Sequence, residues 1–250
     1  GSGSDAAGLR TSAKKDGNDY VLNGSKMFIS GAGETEVLVV MARTGEAGPK
    51  GISAFIVPAD AKGVIYGKAE EKMGWNAQPT RLITFDNVRI PAHYLLGNEG
   101  EGFGFAMKGL DGGRINIATC SIGTAQQALN TARNYMLERQ QFGKPLAAFQ
   151  ALQFKLADMA TEVEAAELLT FQAADYKNRN QKMTTQGAFA KYFASEVSVK
   201  CGNEAVQIMG GYGFTKEYPA EKFLRDAKLM TIGEGTSEIQ KLVISREILK

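Results

Sequence analysis

Histidine, cysteine and tryptophan are scarce in this 250-residue chain, which holds one His, two Cys and one Trp. Any His-based zinc site or Ser-His-Asp triad would have to use His93, and no cysteine or histidine lies near it in sequence. Metal and triad chemistry are therefore not expected. Cys120 and Cys201 are too few for a disulfide framework in a chain of this length and suit a reducing compartment. No apolar run approaches the roughly 20 residues that span a bilayer. The first residues carry no basic-then-apolar signal pattern. Neither sign of charge dominates: 29 Lys+Arg against 27 Asp+Glu, interspersed, leave a net charge of +2 and no basic stripe for nucleic acid.

What is present divides into two textures. Four of the six prolines (Pro49, Pro58, Pro79, Pro91) fall in the first 91 residues, among short runs rich in β-branched and aromatic residues. "DYVLNGSKMFIS" predicts a hairpin, because Asn-Gly suits the positive-φ pair of a type I′ turn. "EVLVVMAR", "GISAFIVPA" and "TRLITFDNVRI" are further strand candidates. Short, closely spaced strands without intervening helices imply an antiparallel barrel or sandwich. From about residue 98 the spacing becomes helical: Leu152, Leu156, Met159, Val163 and Ala166 form one stripe, and Phe189, Phe193 and Val197 another. Helices are expected over about 101–139, 147–178, 183–210 and 235–249, with Gly143 and Pro145 ending the first. The expected fold class is α+β, a middle β domain over 1–97 followed by an all-α C-terminal helix bundle over 98–250.

Four local patterns carry chemical interest, each with a structural alternative. "GNEGEGFGF" lacks the full dinucleotide glycine spacing and reads as a flexible link into the first long helix. "MGGYGF" at 209–214 is either a glycine helix cap or a backbone surface for a flat ring or phosphate. Arg139 either complements a helix C-terminus or binds an anion. Glu234 stands between Gly233 and Gly235 and either stabilises the helix beginning near Thr236 or is a carboxylate aimed at a ligand.

Taken together, "GSGSD", "LNGSKMFIS", "ERQQFGKPLAAFQ", "QIMGGYGF" and "LRDAKLMTIGEGTSEIQ" resemble, in order and over the whole chain, the acyl-CoA dehydrogenases. These are flavoprotein oxidoreductases that oxidise acyl-CoA thioesters to enoyl-CoAs. "LNGSKMFISGAGE", "GWNAQPTR" and "GLDGGRINIA" look closest to the isobutyryl-CoA branch, implying a short branched substrate and a place in fatty acid metabolism and valine degradation. In the family "GSGSD" follows Glu-Pro and an all-helical N-terminal domain, so the resemblance implies that this chain comprises the middle and C-terminal domains. The N-terminal domain would cover one side of the flavin and part of the acyl pocket.

The resemblance makes Glu234 the catalytic base that removes the α-proton of the thioester while a hydride leaves the β-carbon for the flavin. The Glu234 N–H, with a flavin ribityl hydroxyl, would polarise the thioester carbonyl. In the isovaleryl-CoA branch the base comes from the first long helix, just before the residue matching Arg114; here that position is Gly113. For FAD the matching positions are Phe28, Ile29 and Ser30 at the isoalloxazine, and Arg139 and Phe142 at the pyrophosphate and adenine side in a neighbouring subunit. Phe149, Gln150, Gln207, Ile208, Met209, Gly210, Gly211, Thr236, Ser237 and Glu238 complete the set. Substrate contacts would come from Ser4, Asp111, Gly112, Gly113, Arg114, Gly235 and Arg246. A shared FAD site implies at least a dimer, and the family a homotetramer built as a dimer of dimers. The resemblance further implies an electron-transfer flavoprotein as partner, with the protein cytoplasmic in a bacterium or in the mitochondrial matrix of a eukaryote. An acyl-CoA oxidase is the alternative within enzymes. A catalytically silent oligomerisation or flavin-holding module is the alternative outside them.

Overall fold

The computed structural model describes residues 2–250; Gly1, the first residue of the "GSGSD" stretch, lies outside them. The chain divides into two compact units, one running to Lys72 and resuming over Asn76–Gly109, the other formed by Met73–Trp75 and Leu110–Lys250.

The first unit is a seven-stranded sheet. Its strands are β1 (Ser12–Asp16), β2 (Asp19–Ser30), β3 (Val37–Arg43), β4 (Ile52–Pro58), β5 (Val64–Ala69), β6 (Thr80–Pro91) and β7 (Leu95–Leu96), in the order β5-β6-β2-β1-β3-β4-β7. All pairings are antiparallel except a one-residue parallel bridge between Ser12 and Arg43. Alternating side chains Tyr20, Leu22, Val40, Ala42, Phe55, Val57, Ile83, Phe85, Val88 and Ile90 meet in one core.

The Asn23-Gly24 turn expected from the sequence does not form. β2 runs straight through it, and the β1–β2 hairpin turns at Gly17-Asn18 instead, with Asp16 paired to Asp19 and Gly17 at φ +61°. Asn23 and Gly24 serve a bulge: the register slips between Leu22 and Gly24, where β6 carries Asn87 at φ +51°. Asn23 Oδ1 accepts from the Asn87 N–H at 2.9 Å. Gly24, at φ +134°, passes so close to β1's approach that an added Cβ would sit 2.8 Å from Thr11 Cα. Tertiary approach overrode the local turn preference. A second bulge between Lys26 and Ile29 puts Phe28 at φ +59° and leaves its ring exposed.

The glycines of "GNEGEGFGF" give close packing rather than flexibility. The Gly100 N–H donates to Ser53 Oγ at 2.9 Å, and a Cβ on Gly102 would lie 2.4 Å from the Ser53 carbonyl carbon.

The second unit is helical: α1 (Gly102–Glu138, from Leu110 onward), α2 (Gln150–Asn178), α3 (Thr184–Met209), the single turn α4 (Gly211–Phe214), α5 (Ala220–Met230) and α6 (Ser237–Ile248). A small ribbon, β8 (Gln140–Gln141) and β9 (Lys144–Pro145), separates α1 from α2. The four long helices agree with the spacing; α5, introduced by Pro219, was not anticipated. The stripe on α2 is core, with Met159, Val163 and Ala166 buried. On α3 the buried surface is mostly small residues, including Ala188, Ala190, Ala194, Ser198, Gly202 and Ala205; Phe189 is only partly buried. Small side chains let α2, α5 and α6 approach α3 from different sides.

Candidate active site

Glu234 does not cap a helix. α6 is capped by Thr236, whose Oγ1 accepts from the Ile239 N–H, and Glu234 lies before that cap in a turn with φ +54°. This left-handed conformation is rare for a residue with a Cβ, and such strain persists only where the surroundings enforce it. Two side chains hold the turn. Gln240 Nε2 donates to the Glu234 carbonyl at 3.1 Å and to the Gly235 carbonyl at 3.0 Å. Lys191 Nζ, from α3, donates to the Gly235 carbonyl at 2.7 Å. Gly235, at φ +90°, holds a conformation that strains any residue with a Cβ, and an added Cβ would also push on Gln240 Nε2 at 2.7 Å, a donor that holds the turn.

The carboxylate itself points at α1. A Cβ added to Gly113 would lie 2.4 Å from Glu234 Oε2, so the bare glycine makes the space that the carboxylate fills. Beside it Arg114 is buried, with one nitrogen paired to Asp111 Oδ1 at 2.8 Å and Nε without a partner. Thr184 Oγ1 donates to the other Asp111 oxygen at 3.2 Å. Burial pushes the Glu234 carboxyl above its ordinary value, while Arg114 and then Lys191 pull it back. The result is a half-buried, raised carboxylate with two cations near it, a suitable general base.

The structure therefore brings together Asp111, Gly112, Gly113, Arg114, Glu234 and Gly235 from the expected set. It adds Lys191 and Gln240, which sequence reasoning missed. The only signal for Lys191 was a charge inside the small-residue run "GAFAKYFASE"; Gln240 gave none. Thr236 and Ser237 spend their hydroxyls internally, Ser237 Oγ donating to Glu196 at 2.5 Å. Glu238 folds back on its own N–H and on Thr236, which lowers its carboxyl. Part of the α6 N-terminus is thus already occupied by the chain's own groups. Arg246 is exposed in the last turn of α6, nine residues and about 14 Å of helix from its start.

A second group gathers at the far end of α3. Gly210, at φ +60°, caps that helix, and its N–H bonds to the Val206 carbonyl. An added Cβ on Gly210 or Gly211 would meet nothing within 4 Å, so bare backbone faces open space. The Arg139 guanidinium lies 6.0 Å from the Tyr212 ring centre, and Tyr135, Tyr212 and Tyr218 pack edge to face or tilted around it. Phe142, 92% exposed at φ +53°, meets the Phe149 ring edge-on at 6.1 Å, with Gln150 exposed beside it. A permanent cation, open glycine backbone and uncovered aromatic rings fit a dinucleotide with a diphosphate and an adenine half. Ile208 and Met209 are core side chains, so only their backbone could face such a group, whereas Gln207 is exposed. In the β unit, Phe28 lies in the second bulge of β2 while Ile29 and Ser30 resume the pairing opposite Arg81 and Thr80, and Ser4 is exposed near the chain's start. Among the described residues no group of three or more His, Cys, Asp or Glu could hold a metal ion, and no helix is long and apolar enough to cross a membrane.

The profile of the acyl-CoA dehydrogenase C-terminal domain matches residues 100–249, and that of the middle domain matches residues 1–88. The chain belongs to the acyl-CoA dehydrogenase family. It is 50% identical over its whole length to the mitochondrial isobutyryl-CoA dehydrogenase of Dictyostelium discoideum, covering 61% of that protein. It is 45% identical to the short-chain specific acyl-CoA dehydrogenase of Megasphaera elsdenii, covering 65% of it. The solved butyryl-CoA dehydrogenase of Megasphaera elsdenii superimposes with a TM-score of 0.98 at 45% identity, matching all of this chain and 66% of that one. A chain solved in work on the electron transferring flavoprotein of Acidaminococcus fermentans matches with a TM-score of 0.98 at 46% identity. The family's two domains thus account for nearly all of the α+β chain, which spans about three fifths of the Dictyostelium relative.

Proposed function

We propose that the protein is an FAD-dependent acyl-CoA dehydrogenase that converts a short branched acyl-CoA, of the isobutyryl-CoA kind, to the enoyl-CoA. The carrying observation is the Glu234 carboxylate, held at φ +54° and fitted into the space left by Gly113. Residues 1–97 serve as the middle domain and 98–250 as the helical domain, with the base in the latter. A thioester α-proton is weakly acidic, so the carboxylate must meet it where little water competes; burial raises its basicity while Arg114 and Lys191 keep it ionisable. Glu234 Oε accepts the α-proton, its N–H stabilises the negative charge gathering on the thioester oxygen, and the Cα–Cβ double bond forms as the β-hydride leaves. A bound flavin supplies the two-electron acceptor for that hydride. Phe28, Ile29 and Ser30 would line its ring; Arg139 and Phe142 would reach the diphosphate and adenine side of the flavin of a neighbouring subunit, with Phe149, Gln150, Gln207, Gly210 and Gly211 as further contacts.

The branched substrate is supported by the isobutyryl-CoA dehydrogenase relatives and by Gly233, which adds no side chain before the base. Electrons would pass to an electron-transfer flavoprotein, a partner supported by the Acidaminococcus structure. Exposed apolar side chains Phe154, Leu168 and Phe171 along α2 support a homo-oligomer. Relatives named as mitochondrial and bacterial support the matrix or the bacterial cytoplasm respectively.

Glu234→Gln in the complete enzyme tests the reading. The amide keeps shape but cannot take the proton, so flavin stays bound while turnover of isobutyryl-CoA falls by about 10²–10⁴-fold. Turnover near the wild-type rate would place the base elsewhere.

A further inference from the structure

Lys191 neither gives nor takes the transferred proton, yet it lies wholly out of solvent in the middle of α3. A lysine is almost never fully buried unless its ammonium is engaged. Here Nζ donates to the Gly235 carbonyl at 2.7 Å, the peptide immediately after the base. Among the described residues, the charges facing it are Arg114 of α1, Glu196 of its own helix, Glu234 in the turn and Glu238 of α6, with none from α2 or α5. Its surroundings carry one competing cation and three carboxylates. Burial nonetheless pulls the ammonium down to about 8, with Glu196 and Glu234 the main groups that hold it up.

The same turn shows why a fixed donor matters there. Glu234 is left-handed and flanked by Gly233 and Gly235, a segment with many accessible backbone states when unrestrained. Gln240 Nε2 divides itself between the Glu234 and Gly235 carbonyls at 3.1 and 3.0 Å, and its own Oε1 has no partner. Lys191 supplies the shorter bond, and it comes from a helix remote in sequence.

We propose that Lys191 is a positioning residue for the base: its ammonium, bonded to the Gly235 carbonyl, fixes the turn that aims the Glu234 carboxylate and places a cation beside it. The proposal rests on Glu234 being the base, and the test separates the two. In the complete, flavin-loaded enzyme, Lys191→Met, Lys191→Arg and Glu234→Gln are compared. The readouts are kcat, KM, the pH profile of kcat/KM, and infrared titration of the Glu234 carboxylate against Glu234→Gln as blank. Lys191→Met keeps the stem but loses donor and charge. It lowers kcat by about 10²-fold, the effect of a small misplacement of a reacting group, with little change in KM. Both the acidic limb and the infrared titration move to higher pH by roughly one unit, because a cation that favoured the carboxylate is gone. Lys191→Arg keeps a cation but not the compact donor, so kcat falls while the titration stays in place. Wild-type kcat with an unmoved titration in Lys191→Met overturns the proposal, even if that variant is less stable. Should Lys191→Met fail to fold, wild-type kcat in Lys191→Arg overturns it. Near wild-type turnover in Glu234→Gln instead removes the base reading itself.

Discussion

At Gly113 a Cβ would come within 2.4 Å of Glu234 Oε2, the far end of a flexible side chain, so the carboxylate can swing aside. Alanine also favours a helix interior over glycine by roughly 0.5–1 kcal/mol. Gly113→Ala should therefore hold or raise the melting temperature while lowering kcat by about 10²-fold through misplacement of the base; parallel thermal and steady-state measurements check both signs. Glu234 itself links stability to pH. Its folded carboxyl lies above the ordinary 4.5, so the native state holds the proton more tightly than the unfolded chain. The stabilisation from that proton is present below about 4.5 and is lost as pH rises through the raised folded value. Glu234→Gln removes this dependence: its stability relative to wild type should improve as pH rises from 4.5, measured by urea unfolding at several pH values.

At the scale of elements, glycines again decide how closely backbones pass. Gly202 of α3 faces α5, where an added Cβ would lie 2.8 Å from Leu224 Cα, a backbone atom that cannot step aside cheaply. Helix propensity alone would make Gly202→Ala stabilising, but the clash with α5 should dominate and cost about 1–3 kcal/mol, read as a lowered urea midpoint. Gly202 and Gly113 are both helical glycines, yet one meets backbone and the other a side-chain tip, and that difference sets opposite signs for the same substitution. Local pattern could not separate them. Nor could it separate the bulge at Asn23-Gly24 from a hairpin, because both need a glycine with φ above zero. The long helices α1, α2 and α3 were readable because their spacing is sustained over many turns. α5 is short and stands close to the glycine-rich segment before α6, which hid it.

For the whole molecule, the proposed flavin site built by two subunits makes binding and assembly one equilibrium. Arg139→Ala should weaken FAD and loosen the oligomer together, followed by flavin release on dilution and by sedimentation; flavin loss from an oligomer of unchanged affinity would refute the sharing. The order and identity of residues were enough to determine the α+β division and the family, and to single out Glu234 as the proposed base, because long motifs in fixed order and sustained periodicity are properties of the chain itself. Packing alone decided what surrounds that carboxylate. Gly113 and Arg114 on α1, Lys191 on α3 and Gln240 on α6 come from three helices far apart in sequence, and nothing in local spacing signals that these helices meet at one turn. A side chain's charge state and aim depend on its neighbours in space, and those exist only once the helices have packed.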